Sequence, residues 1–128
     1  MAESTGAKRG IAAAEHSITV SVNGTPNPLT TNAGISDTIT FVLTGAACYL
    51  WTWDNGNAAN VFANQSGNYL SLATGVNGPY SINTSVVSPG DSVTFQTNAN
   101  PPSQPKGKDV VIGVKGTIQI SSVSGNEK

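Results

Sequence analysis

The residues best suited to chemistry fall in one short run, CYLWTWDNGN from Cys48 to Asn57, which holds both tryptophans, one of three tyrosines and the sole cysteine. Successive side chains of an extended strand alternate between two faces, so Tyr49, Trp51 and Trp53 share one face and Cys48, Leu50 and Thr52 the other. With the aromatic face outside, three rings stand in a row able to stack on the apolar faces of sugar rings. Asp54, Asn55 and Asn57 then follow with a carboxylate and amides for sugar hydroxyls. With the aromatic face inside, the same rings fill a core that has only eight aromatics to draw on, and large rings are more often buried than displayed. Both arrangements stay open at the level of sequence. Tyr49, Trp51, Trp53, Asp54, Asn55 and Asn57 are the candidate ligand-binding residues of the first.

Little else in the chain offers chemistry. A Ser or Cys nucleophile needs a positioned base, and the single histidine, His16, falls at the edge of an N-terminal arm. Cys48 has no Lys, Arg or His nearby in sequence to stabilise a thiolate, so it reads as a small buried hydrophobe. An acid-base pair would have to come from Asp37, Asp54, Asp91, Asp109 and three glutamates near the termini. Asp37 and Asp91 each open a strand after a turn, where a surface Asx cap is the ordinary explanation. No phosphate-cradling glycine loop and no Cys/His metal spacing occurs, so no cofactor or metal is expected. Asp54 to Asn60 gathers one carboxylate and several amides, ligands that calcium accepts, but Asp-Asn-Gly-Asn without a second acid is better explained as a tight turn. The sequons at Asn23, Asn64 and Asn83 fit glycosylation only in a eukaryotic secretory setting, and some are expected by chance in a chain this rich in Asn, Ser and Thr.

Charge excludes further partners. Only 10% of residues are charged, against about 25% in an ordinary soluble domain, while Ser, Thr and Asn together number 41. From Ser17 to Pro105 there is no Lys, Arg or His. A phosphate-neutralising stripe cannot be assembled from such a sequence, so neither nucleic acid nor an anionic membrane is expected as a partner. No run approaches the length of a membrane helix. The opening MAESTGAKRGIAAAEH mixes charge with small residues and lacks the apolar segment of a signal peptide; the compartment stays unassigned.

The elements that must position these residues are short strands with frequent punctuation. SITVSVNG alternates Ile18, Val20 and Val22 against Ser17, Thr19 and Ser21, and DTITFVLTG alternates Ile39, Phe41 and Leu43 against threonines. Between them TPNPLTTNAG, with Pro26 and Pro28, reads as a loop or irregular edge. After CYLWTWD and its turn come weaker runs, VFANQ, NYLSLA and PYSINTSVV, the last presenting Ile82, Thr84 and Val86 alternately. SPGD turns the chain into DSVTFQT, which directs Val93 and Phe95 inward. NPPSQPKGK is a loop, and DVVIGV and GTIQISSV close the chain. Seven to nine short strands with almost no helix predict an all-β fold, an antiparallel β-sandwich, immunoglobulin-like or jelly-roll-like. The domain spans 17–123, between a flexible arm over 1–16 and a tail over 124–128.

The segment VVSPGDSVTF resembles the turn and strand of immunoglobulin-like and cupredoxin-like domains. A cupredoxin would imply copper held by two His and a Cys; one His is present, so the copper site does not carry over. An immunoglobulin-like domain would imply a core-facing Trp on its third strand, a place for Trp51 or Trp53. The expected function is a non-catalytic module with a structural, assembly or binding role, including homo-oligomer formation through strand edges. The alternative is a lectin-like module with a glycan as partner. A hydrolase is the weakest reading, for want of acid-base residues.

Overall fold

The structure, a computed structural model, describes residues 14–22, 24–63, 65, 67–100 and 114–123. The greater part of the N-terminal arm, the run DVVIGV except its last residue, the tail and the sequons of Asn23 and Asn64 lie outside the described residues. No helix occurs among the described residues; nine strands form two sheets. They are β1 (Glu15–Val20), β2 (Thr30–Gly34), β3 (Thr38–Leu43), β4 (Cys48–Asp54), β5 (Asn57–Ala58), β6 (Tyr69–Leu72), β7 (Gly75–Ser81), β8 (Ser92–Asn98) and β9 (Gly116–Ser121). One sheet has the order β1-β3-β7. The other runs β2-β9-β8-β4-β5, with β6 also on β4.

This is the all-β sandwich that the alternation predicts, with one refinement. Each sheet carries a parallel pair at an edge, β1 on β3 and β2 on β9, while the remaining ladders are antiparallel. β1 begins at Glu15, so His16 belongs to a strand and not to the arm. The irregular edge after Pro28 becomes the short edge strand β2. VFANQ keeps only an isolated bridge from Phe62 to Ile82. PYSINTSVV does not continue as a strand past Ile82. Val86 and Val87 both donate their N–H to the Asn83 carbonyl, a turn that leaves Val86 exposed and drives Val87 inside.

The core is where the alternation places it. Ile18, Val20, Ile39, Phe41 and Leu43 from the smaller sheet meet Leu50, Val93, Phe95, Ile118 and Ile120 from the larger. Phe41 sits edge-on to Phe95 at 5.3 Å and to Phe62 at 5.7 Å. Each such buried side chain contributes about 1.5–3 kcal/mol relative to exposure. Gly116 must lack a Cβ, because that atom would lie inside the Phe95 ring.

The polar member of the inner face of β4 is Thr52, and its burial is compensated. Its hydroxyl donates to the Ala59 carbonyl at 2.7 Å and accepts from Gln65 Nε2 at 2.7 Å, while Gln65 Oε1 accepts the Phe62 N–H at 2.9 Å. A buried hydroxyl and amide that satisfy one another carry little desolvation penalty. The same bonds seat Val61 and Phe62 in the core. They explain why Cys-Leu-Thr, and not the aromatic row, is the inward face of β4.

Candidate functional site

β4 turns Cys48 and Leu50 into the core cluster and Thr52 beside it, so Tyr49, Trp51 and Trp53 lie on the outer face of the six-stranded sheet. The core-facing tryptophan implied by the immunoglobulin-like resemblance is therefore not found on this strand. Residues opposed across the ladders share that outer face. Tyr69 stands opposite Trp51 and Ser71 opposite Tyr49 on β6. On β8, Asn98, Gln96 and Thr94 oppose Tyr49, Trp51 and Trp53 in turn. The result is a row of four rings flanked by hydroxyls and amides. Tyr49 meets Tyr69 edge-on at 5.6 Å, and Trp51 lies 6.3 Å from Trp53 at a tilt of 50°.

The row is not evenly open. Trp51 is only 4% exposed, and its indole N–H donates to the Asn100 carbonyl at 2.8 Å. Its neighbour Gln96 is buried as well. Tyr49, Tyr69 and Trp53 are half-buried and keep surface toward solvent. The Lys115 ammonium stands 5.0 Å over the Trp53 ring, a cation–π contact worth about 0.5–1 kcal/mol at an exposed site.

The acid and amides that follow the row lie in a turn. Asn55 and Gly56 both take positive φ, 51° and 87°, the backbone of a tight hairpin turn that suits Asn-Gly. The turn joins β4 to β5, with Asp54 opposite Asn57, so the run from Asp54 is a hairpin. By alternation Asp54 and Asn57 fall on the face opposite Trp53, at the end of the sandwich. The Asn55 amide is engaged: its Nδ2 donates to Asp91 Oδ1 at 3.0 Å and its Oδ1 accepts the Ser92 N–H at 2.8 Å. Of the six residues singled out from the sequence, Tyr49, Trp51 and Trp53 thus lie on the outer face of β4, and Asp54, Asn55 and Asn57 fall in the hairpin at its end, where Asn55 forms a latch to Asp91 and Ser92.

At that latch two carboxyls titrate apart. Burial, then a hydrogen bond and repulsion from Asp91, push the Asp54 carboxyl up to about 6. Asp91 moves the other way: the Ser88 N–H and the Asn55 amide hold it below the ordinary carboxylate value. Opposite shifts in neighbouring carboxyls mean that Asp54 is the first of the two to take up a proton as pH falls. Asp91 also accepts the Ser88 N–H at 2.9 Å and donates its own to the Ser88 carbonyl, which is the Asx-capped turn expected of SPGD.

Asp37 departs from that expectation. It is buried at 1% exposure. Its carboxylate accepts the N–H of Ala14 at 2.9 Å and of Gly34 at 2.8 Å, and it meets His16 Nε2 at 2.9 Å. These bonds tie the start of β1 to the β2–β3 turn. His16, Glu15, Ser17, Thr40, Val76, Gly78 and Pro79 line a shallow cleft of about 410 Å³ where the β3–β7 register shifts. Among the described residues no hydroxyl is hydrogen-bonded to His16, and the pair has the form of a structural tie.

No group of three or more His, Cys, Asp or Glu among the described residues could hold a metal ion, and no helix among them is long and apolar enough to cross a membrane. No protein-family model and no curated protein matches the chain. Tyr69, Ser71, Thr94, Asn98 and Lys115 belong to the platform and were not singled out from the sequence. The alternation in NYLSL, with Tyr69 and Ser71 against Leu70 and Leu72, carries the signal for two of them; the others depend on ladder register.

Proposed function

We propose that the protein is a non-catalytic binding module whose platform, on the outer face of the six-stranded sheet, takes carbohydrate. The observation that carries this reading is the orientation of β4, which sends Tyr49, Trp51 and Trp53 away from the core. Rings on an outer face stack on the apolar faces of sugars, and nearby Ser71, Thr94 and Asn98 supply donors and acceptors for hydroxyls. Titration of the full chain with a broad glycan panel, read by tryptophan fluorescence, tests it. The reading expects a saturable change with at least one glycan; an unchanged spectrum across the panel sinks it.

A second reading, assembly into a homo-oligomer, is favoured by one feature. β2 lies at the edge of the six-stranded sheet and is uncharged and free of proline, an edge without the usual guards against pairing. Sedimentation at rising concentration separates the readings. A strictly monomeric species at the highest concentration removes assembly and leaves the platform untouched.

A further inference from the structure

Exposure along β4 divides the platform into two stations. At one end Tyr49 is half-buried and edge-on to Tyr69, with Ser71 opposite it on β6 and Asn98 opposite it on β8. At the other, Trp53 is half-buried beside Thr94, under the Lys115 ammonium. Trp51 stands between them with 4% of its surface exposed and its N–H committed to the Asn100 carbonyl, and Gln96 next to it is 1% exposed. The middle of the row is thus a strut that spaces the two ends and offers a ligand almost no surface.

We infer, resting on the carbohydrate reading above, that the platform binds a linear oligosaccharide whose rings engage both stations, and discriminates against single sugars. Tyr49 and Trp53 are four residues apart on one strand, which at about 3.3 Å per residue separates them by about 13 Å. A six-membered ring built from bonds of about 1.5 Å covers one station and cannot reach the other. A chain of linked rings reaches both. Once one ring is seated, the next encounter is intramolecular, and the second contact adds its own free energy without a second cost of association. Each station alone is weak, since an aromatic contact contributes about 0.5–1.5 kcal/mol, a factor of roughly two to ten.

The test is calorimetric titration of the full chain with size series from monosaccharide to hexasaccharide of β-linked glucose, β-linked N-acetylglucosamine, α-linked glucose and β-linked mannose. In any series that binds, the hexasaccharide is expected to bind at least about tenfold more tightly than its monosaccharide. Tyr49→Leu and Trp53→Leu, which keep an apolar side chain on the strand but remove the ring, are each expected to abolish that gain. A gain below about tenfold overturns the two-station inference while leaving the carbohydrate reading standing. A gain that survives either substitution places the second contact elsewhere and also overturns it. Absence of binding at every length in every series sinks the carbohydrate reading, and this inference with it.

Discussion

The two outer faces of the sandwich are made from the same kind of strand and differ in what they present. On the three-stranded sheet the outward residues include Glu15, Ser17, Thr19, Thr38, Thr40, Val42 and Val76, all but Glu15 small or β-branched side chains that suit a solvated strand. On the six-stranded sheet the corresponding positions hold Tyr49, Trp51, Trp53 and Tyr69. The core cluster contains none of these four. Phe41, Phe62 and Phe95 fill it together with aliphatic residues, with Tyr80 packed against it. Half of the aromatic residues in the chain therefore stand on a face that folding alone would furnish with threonine and valine. Tyr49, Trp53 and Tyr69 keep part of their surface toward solvent, and that asymmetry is the basis of the carbohydrate-binding proposal.

The comparison breaks first if the two faces of β4 do not differ energetically. Leu50→Ala removes a side chain with no exposure and is expected to destabilise by about 2–5 kcal/mol. Trp53→Ala, on the outer face, is expected to lower stability by no more than about 1 kcal/mol while weakening glycan binding. Urea midpoints of the two variants check this. Equal losses would mean that Trp53 is a core residue.

A smaller effect, in pH, sharpens the division between platform and latch. The Asp54 carboxyl titrates at about 6 in the folded chain, above its unfolded value of about 4. A group whose folded value is raised favours the fold fully below the unfolded value, and that contribution is lost as pH rises from about 4 through about 6. Asp91, held low, acts oppositely, and its contribution is lost only as pH falls below the ordinary carboxylate range. Asp54→Asn keeps a donor for Asp91 and removes the proton. Its urea midpoint is expected to change less between pH 4 and pH 7 than that of the parent chain, and to exceed it at pH 7. Because the latch faces away from the rings, glycan affinity at pH 7 is expected to stay within about twofold, less than the worth of one aromatic contact.

The smallest expected effect is at Lys115. Its ammonium covers the Trp53 ring, and a stacking sugar must displace a contact of about 0.5–1 kcal/mol. Lys115→Ala is expected to tighten binding by about two- to fivefold. Weaker binding would show that the ammonium contacts the ligand.

Much of the fold was legible because alternation is a local signal. Ile39, Phe41 and Leu43 in β3, and Val93 and Phe95 in β8, were assigned inward from period two alone, and all five are buried. β4 resisted the same treatment because Leu50 and Cys48 on one face and three rings on the other are both apolar. What decided it was the Thr52–Gln65 bond, a contact between segments that no pattern within the strand encodes. The parallel edges were hidden for a related reason, since alternation gives a strand its faces and not its neighbours. Asp37 looked like a surface cap because its partners, His16 and the Ala14 N–H, are remote in sequence. The bonds of the Asn55 amide were hidden for the same reason, since Asp91 and Ser92 are remote in sequence as well.

The outward orientation of the β4 rings, with Trp53 partly exposed and Trp51 a covered strut, is tested most directly by acrylamide quenching of the two single-tryptophan chains. In Trp51→Phe the remaining indole is Trp53, and its fluorescence is expected to be readily quenched. In Trp53→Phe the remaining Trp51 is expected to be protected. Two protected indoles would contradict the account and return the aromatic row to the core.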